Sequence, residues 1–431
     1  MKRHYTRTAL LVAVLFTVVT LCGFAGGAQE KVSEVDITFW QHSYPPLNAW
    51  TQKHIQGFMA ANPGITVNFE LIPFEEYIQK VFTALATRQA PEVFESDDFT
   101  FAQFIENKAL HDIDPVVFGY SNLGDFTAAF ERNSLELVTV EGKVFAIPYD
   151  WEAPVIGYNI EIFKKAGINP QSLKTWKQHG QAAQKTAVHD SNGVLTTAGM
   201  CFVHNIGEYY QHIGNTLFRQ AKVSILNKNK SAATLNDPNA DRVFQLWNDM
   251  IFKYKADDPG FTGSFYTEEF GQGRVAMGWM LTWANSILAP HDYKKGRDFD
   301  LIPVPTFEGG DTGTISSAWN WVVNANISNA KADASTKFLS YKSDQGDTFL
   351  TEAGLVSPKK GWREKVSSED LALYDEIFNS LGRSRPHDPH PKYQEIWKPI
   401  IKVFQTCEVD PNANVRQLLK VGEQEINDIV Q

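Results

Sequence analysis

The chain has 431 residues, 43% of them hydrophobic and 21% charged, with 40 Lys and Arg against 50 Asp and Glu and three Cys. At roughly 150 residues per domain this is two to three domains, long enough to bury cores without staples, and the mixed composition rules out a disordered, collagenous or low-complexity chain. A net charge of −10 with no Lys/Arg block beyond the N-terminus argues against nucleic acid and anionic membrane as main partners.

The first element reads as an export signal. Lys2, Arg3 and Arg7 precede an apolar run, Leu10 to Leu21, that is too short to span a bilayer comfortably, and Gly26 and Ala28 stand three and one residues before a cut at Gln29. Removal of residues 1–28 takes away three basic and no acidic residues, leaving 37 against 50 and a balance of −13. The alternative is a membrane anchor through a lipidated Cys22, but Leu21 stands where a small residue is usual, so soluble export is favoured. Cys201 and Cys407 then remain, either as one disulfide in an oxidising compartment or as buried free thiols. No Cys/His spacing suggests zinc.

The mature chain alternates strand and helix. Val35 to Trp40 reads as a strand, and Pro46 opens a helix whose face carries Leu47, Trp50, Ile55, Phe58 and Met59 until Asn62-Pro63-Gly64 stops it. Ile65, Val67, Phe69 and Leu71 alternate as a second strand; Tyr77, Val81, Phe82 and Leu85 mark a second helix; Ala90-Pro91 ends it before a strand at Val93-Phe94. This βαβαβ order implies a parallel sheet with helices on both faces and a ligand beyond the carboxyl ends of its strands, where Trp40-Gln41-His42 and Ser96-Asp97-Asp98 fall. Further on, Gly142 to Tyr149 and Ile156 to Asn159 read as extended, helices follow at Phe163 and Thr175-Trp176, and two more extended runs come at Gly273 to Gly278 and Asp300 to Pro305. There is no long Pro- or Ser-rich linker and no internal repeat, so domains would be joined by short extended crossings.

Catalytic motifs are missing: no GxxxxGK[ST], HExxH, GxSxG or full GxGxxG occurs. His387-Asp388-Pro389-His390 is a metal candidate on type alone, but a polar surface loop explains it better. Adjacent acids such as Asp97-Asp98, Glu75-Glu76 and Glu268-Glu269 read as solvated faces, because the opposed carboxylates of glycoside hydrolysis cannot be placed from sequence.

A series of short segments carries a resemblance. Phe58 to Val67 is similar to "F-x-x-x-NPGI-x-V", and Leu85 to Val93 to "A-x-G-x-APDV" with Arg88 and Glu92 as departures. Asn107 to Leu110 with Ile113-Asp114, Gly142 to Tyr149 ("GKLYGIPY"), Tyr158-Asn159, Trp176, Phe270 to Met277 ("F-x-x-G-x-VAM") and Gly354 to Pro358 follow in order. Together they resemble extracellular solute-binding proteins of the maltose-binding type, the receptors of ABC sugar importers. The resemblance implies an α/β, two-lobe periplasmic binding protein type II fold built from discontinuous segments. Residues 29–148 and 307–356 would form the N-terminal lobe, and 149–306 and 357–431 the C-terminal lobe. Crossings are then expected near Pro148 to Ala153, Ile302 to Phe307 and Val356 to Gly361. One solute would sit in the cleft between the lobes.

Sugars bury ring faces on aromatic side chains and satisfy hydroxyls with acids, amides and Arg. By resemblance, Trp283 follows the "VAM" strand where a Trp stacks on sugar, with nearby Trp279 read as either stacking or core. Glu152 matches an acid that bonds hydroxyls, with Asp150 the alternative; Trp151 is open between stacking and hinge packing. Asp97 or Asp98 is the acid after the third strand, against a reading as a helix N-cap. Trp40 ends the first strand, and Gln41 and His42 follow it where the family often uses acidic or amide groups. Trp319 and Trp321 flank Asn320, one expected toward the cleft and the other toward the core. Trp397 aligns with a late stacking Trp but reads better as core, and Arg385 lies in a loop that approaches the cleft in relatives. The implied function is a non-enzymatic, exported, periplasmic and monomeric sugar receptor that delivers its ligand to the membrane permease subunits, with no cofactor and no nucleic acid. The alternatives are an exported glycoside hydrolase or a same-fold receptor for glycerol phosphate or a polyamine.

Overall fold

A computed structural model describes residues 34–261, 266–289 and 292–431. The expected leader, residues 1–28 with Cys22, lies outside the described residues.

The first half-sheet follows from local pattern. β1 (Val35–His42) and β2 (Ile65–Ile72) pair in parallel from Val35↔Ile65 to His42↔Ile72, and β3 (Val93–Asp97) joins β1 on its other side. Between them run α1 (Pro45–Ala61), which starts with proline at its first turn, where the missing N–H costs nothing, and α2 (Phe74–Ala86). α1 buries Leu47, Trp50, Ile55 and Phe58, the stripe read from the sequence. α3 (Asp98–Glu106) begins directly at the end of β3.

The parallel core is completed by a strand from far along the chain. β4 (Leu110–His111), β5 (Ala146–Glu152) and β3 all pair antiparallel with one ten-residue strand of the later chain, Ile315–Asn324. A second, three-stranded antiparallel sheet has β6 (Val155–Asn159) at its centre, between β7 (Met277–Met280) and β8 (Phe299–Pro303). Around it pack α4 (Gly207–Ala221), α5 (Asp241–Asn248) and later helices. The long strand is β9 (Ile315–Asn324), followed by α6 (Asn329–Ser343), then the short β10 (Arg385–Pro386), parallel to the start of β9, and α7 (Tyr393–Val409).

Two separate hydrophobic cores result, one around each sheet. The chain passes between them three times. Tyr149 belongs to the first core and Trp151 to the second; Ile315 belongs to the second and Trp319 to the first; Leu355 belongs to the first and Val356 to the second. The crossings are laced together, since Trp151 N donates to Val356 O (2.8 Å) and Ser317 pairs with Glu152. The second crossing therefore lies on β9 and not near Ile302 to Phe307: Ile302, Val304 and Phe307 are all buried in the second core. The extended, Pro-rich run there is an edge strand and its exit, and an extended pattern does not distinguish a sheet edge from a hinge. Cys201 and Cys407 are both buried and free.

Candidate functional site

The carboxyl ends of β1 and β2, the inner end of β9, the crossing on β5 and the N-terminal turns of α4 enclose a cavity of about 610 Å³, within the range of roughly 300–1,000 Å³ typical of small-molecule sites. Both sides of the molecule contribute: His42, Tyr44, Phe74 and Trp319 from one core's elements, and Glu208, Tyr209, His212 and Trp283 from the other's. Trp283 packs against both cores.

One wall is acidic. Asp150 and Glu152 lie two apart on β5, and the Thr282 hydroxyl sits 3.0 Å from Asp150 Oδ1 and 3.1 Å from Glu152 Oε1. A hydroxyl has one hydrogen, so both contacts are hydrogen bonds only when one of the acids is itself protonated and donates. Burial supplies that proton: it pushes Asp150 up to about 7, and burial with the neighbouring Asp150 charge pushes Glu152 well above its ordinary value. Glu208 adds a third carboxylate beside His212, 3.5 Å from its Nε2. Among the described residues no Lys or Arg lines this cavity.

Aromatic rings line the cavity beside these acids. His42 is fixed by Glu95, whose Oε2 accepts from the His42 backbone N–H and lies 2.8 Å from Nδ1, and its ring sits 4.2 Å from that of Trp319. Tyr209 is buried, with Trp283 as a hydrogen-bond partner.

The structure brings Trp283, Glu152, His42 and Trp319 together around the cavity, with Asp150 beside Glu152. It places the other expected residues elsewhere. Trp319 and Trp321 part company along β9, where the ladder to β5 skips Tyr149 between them. Trp319 turns to His42 and Phe74, whereas Trp321 stacks on Tyr149 (4.5 Å) and packs near Trp50 in the first core. Trp279 is fully buried within β7, and Trp397 is fully buried in α7 against Tyr393 and Phe218. Trp151 packs in the second core at the crossing. The Trp40 ring lies under the Lys80 ammonium, 4.5 Å from centroid to Nζ, away from the cavity.

The polar candidates outside the cavity are structural in their contacts. Gln41 is held to α1 by the Thr51 hydroxyl (2.7 Å) and by Asn48 (3.1 Å). Asp97 caps α3, accepting from Thr100 N at 2.6 Å and from the Thr100 hydroxyl at 2.8 Å. Asp98 ties α3 to β9, accepting from Ala318 N (2.7 Å) and Asn320 Nδ2 (2.8 Å). Burial raises both Asp97 and Asp98 to about 7. Arg385 is exposed on β10 and lines a different cavity.

Sequence reasoning missed Tyr44, Phe74, Glu208, Tyr209 and His212. Phe74 was within reach of the rule used for the first and third strands, since it follows the carboxyl end of β2. The face Glu208-Tyr209-His212 of α4 carries no signal of its own, because helical spacing shows which residues share a face and not what that face meets.

The family of bacterial extracellular solute-binding proteins matches residues 43–347 of the chain. An uncharacterized ABC transporter extracellular-binding protein of Pyrococcus horikoshii is 24% identical over 395 residues, covering 84% of this chain and 81% of that protein. The arabinooligosaccharide-binding protein of Bacillus subtilis is 23% identical, covering 89% and 87%. Among solved structures, a Thermotoga lettingae ABC transporter solute-binding protein bound with α-D-tagatose superposes with a TM-score of 0.79 at 21% identity, covering 92% of this chain and all of that one. A maltose-bound T. maritima protein gives 0.78 at 18%, covering 91% and 99%. With more than half of its length matched, and with the two-lobe architecture of these structures, the chain belongs to the bacterial extracellular solute-binding protein family.

Proposed function

We propose that the cavity between the two lobes binds an uncharged carbohydrate and that the protein, acting as an exported monomer, delivers it to the permease of an ABC importer. The observation that carries this reading is the composition of the cavity wall. Aromatic faces (Phe74, Trp283, Trp319) suit the apolar faces of a sugar ring, and buried acids (Asp150, Glu152) suit its hydroxyls. Among the described residues, that wall carries no Lys or Arg, which disfavours glycerol phosphate and other anions. The relative described as arabinooligosaccharide-binding supports the same substrate class. Asp150 and Glu152 share one hydroxyl on one strand, which favours holding a sugar over cleaving one, because hydrolysis uses acids on either side of the scissile bond. Trp283, in contact with both cores, is positioned to sense closure about the three crossings.

A thermal-shift screen of the full chain over monosaccharides and short oligosaccharides should find a stabilising sugar, and small-angle scattering at saturation should show compaction. Stabilisation by phosphorylated solutes alone, or by no sugar in a broad panel, defeats the reading.

A further inference from the structure

A second cavity, of about 380 Å³, opens on the C-terminal lobe. Its walls come from the C-terminal half of α4, the loop 223–230, the segment 385–390 and α7. Among the described residues it shares no lining residue with the first. Phe99 stands between the two: its ring contacts His212 of the first cavity at 4.9 Å, and His387 and Tyr393 of the second at 4.8 and 5.5 Å.

Its charge is opposite to that of the first cavity. Arg219, Lys228, Lys230 and Arg385 line it together with His387 and His390, against Asp388 as the one acid among the described lining residues. Among the described residues Lys228, Lys230 and Arg385 form no ion pair; the Lys230 ammonium donates instead to the Pro389 carbonyl at 2.6 Å. Arg219 is half-buried, and burial and the nearby Arg385 charge both lower its pKa. Like charges gathered in a low-dielectric recess repel one another and raise the local potential for an anion.

His387 is the second, independent observation. It is 5% exposed, it lines the cavity, and neither ring nitrogen has a hydrogen-bond partner among the described residues. An imidazole buried in this way forfeits bonds that water would supply, a cost that a ligand in the cavity would recover. The rest of the wall mixes apolar Phe218, Ile225, Leu226 and Ile315 with polar Asn215, Ser224 and Asn227. The recess thus pairs basic side chains and an imidazole with apolar contact surface.

We propose that this cavity is a second ligand site, separate from the sugar cavity, that takes a small organic oxyanion, a carboxylate or a phosphate carried on an apolar or ring-shaped body. Arg385 presents a planar fork that matches either group; Arg219, whose guanidinium donates to Thr314 O and lies 4.0 Å from Asp311, adds charge behind it; Lys228 and Lys230 add point charges; His387 bonds the anion or its neighbouring polar group.

The test is calorimetric titration of the full chain with phenyl phosphate, benzoate and neutral benzyl alcohol, repeated on a Lys228→Glu/Lys230→Glu variant whose melting temperature shows that it folds. Nuclear magnetic resonance of the imidazole nitrogens, assigned with His387→Leu, provides the contact readout. The expected result is that at least one anion binds, benzyl alcohol does not, affinity falls about tenfold or more on charge reversal, and the His387 signals move. Preference for phenyl phosphate identifies a phosphoester as the natural group, and preference for benzoate a carboxylate. The proposal is overturned if neither anion binds, if charge reversal leaves affinity unchanged, or if an anion binds with the His387 signals unmoved, since such binding lies elsewhere.

Discussion

Trp279 and Trp283 are four residues apart and separate cleanly by environment. Trp279 is fully buried on β7, with its carbonyl accepting the Tyr266 hydroxyl, whereas Trp283 is half-buried and lines the cavity. Trp279→Ala should therefore cost about 3 to 5 kcal/mol of stability through the void it leaves. Trp283→Ala should cost less stability but weaken the cognate sugar by roughly 2 kcal/mol or more, about thirtyfold in affinity, as for other buried aromatic contacts. Denaturation and titration of both variants decide the matter. A folded Trp283→Ala protein that binds sugar like the parent removes Trp283 from the site.

At the scale of elements, the C-terminal lobe is held by a buried charge cluster. The His204 ring lies between Glu408 on α7 (2.7 Å from Nδ1) and Asp257 (3.0 Å from Nε2). Glu408 also accepts from the Tyr210 hydroxyl on α4 and, at 2.8 Å, from Trp247 Nε1 on α5. Burial opposes the imidazolium, but the Asp257 and Glu408 carboxylates outweigh it and hold His204 up at about 10. His204→Ala leaves two carboxylates facing each other without their cation, so a loss of about 3 to 5 kcal/mol is expected. A histidine whose folded pKa is raised contributes fully below its unfolded value near 6.5, and the contribution disappears as pH rises through about 10. The parent should thus lose melting temperature between pH 7 and 10 more steeply than His204→Ala. Parallel slopes would show that the ring is neutral in the folded protein.

For the molecule as a whole, the acids at the lobe junction set the pH response of the ligand-free state. Burial raises Asp97, Asp98 and Asp150 to about 7, so the folded protein holds protons that the unfolded chain releases near pH 4. Their contribution is complete below about pH 4 and declines as pH rises toward 7, because in that window the folded state binds protons that the unfolded chain has released. Each group can contribute a slope of up to about 1.4 kcal/mol per pH unit in that window. Scanning calorimetry from pH 5 to 7.5 should show Asp150→Asn with a shallower decline than the parent; an equal or steeper decline would mean that Asp150 is ionised throughout.

What the sequence determined is what depends on neighbours along the chain. The alternation of β1, α1, β2, α2 and β3 was legible because apolar periodicity and the stops at Asn62-Pro63-Gly64 and Ala90-Pro91 act within a few residues. Family-like segments carried Trp283 and Glu152 to positions that line the cavity. Only tertiary structure decided the rest. Ile315–Asn324 reads as a strand locally, yet its pairing with Val93–Asp97, more than two hundred residues earlier, moves the second crossing onto β9, and the neighbours it meets there set Trp319 against His42 at the cavity and Trp321 against Tyr149. Likewise the spacing of α4 marks its buried face, but one turn meets the acidic cavity and the next the basic one only because Phe99 of the other lobe packs between them. Periodicity encodes which side of an element is apolar; what that side meets is set by contacts between residues far apart in the chain, which no local pattern contains.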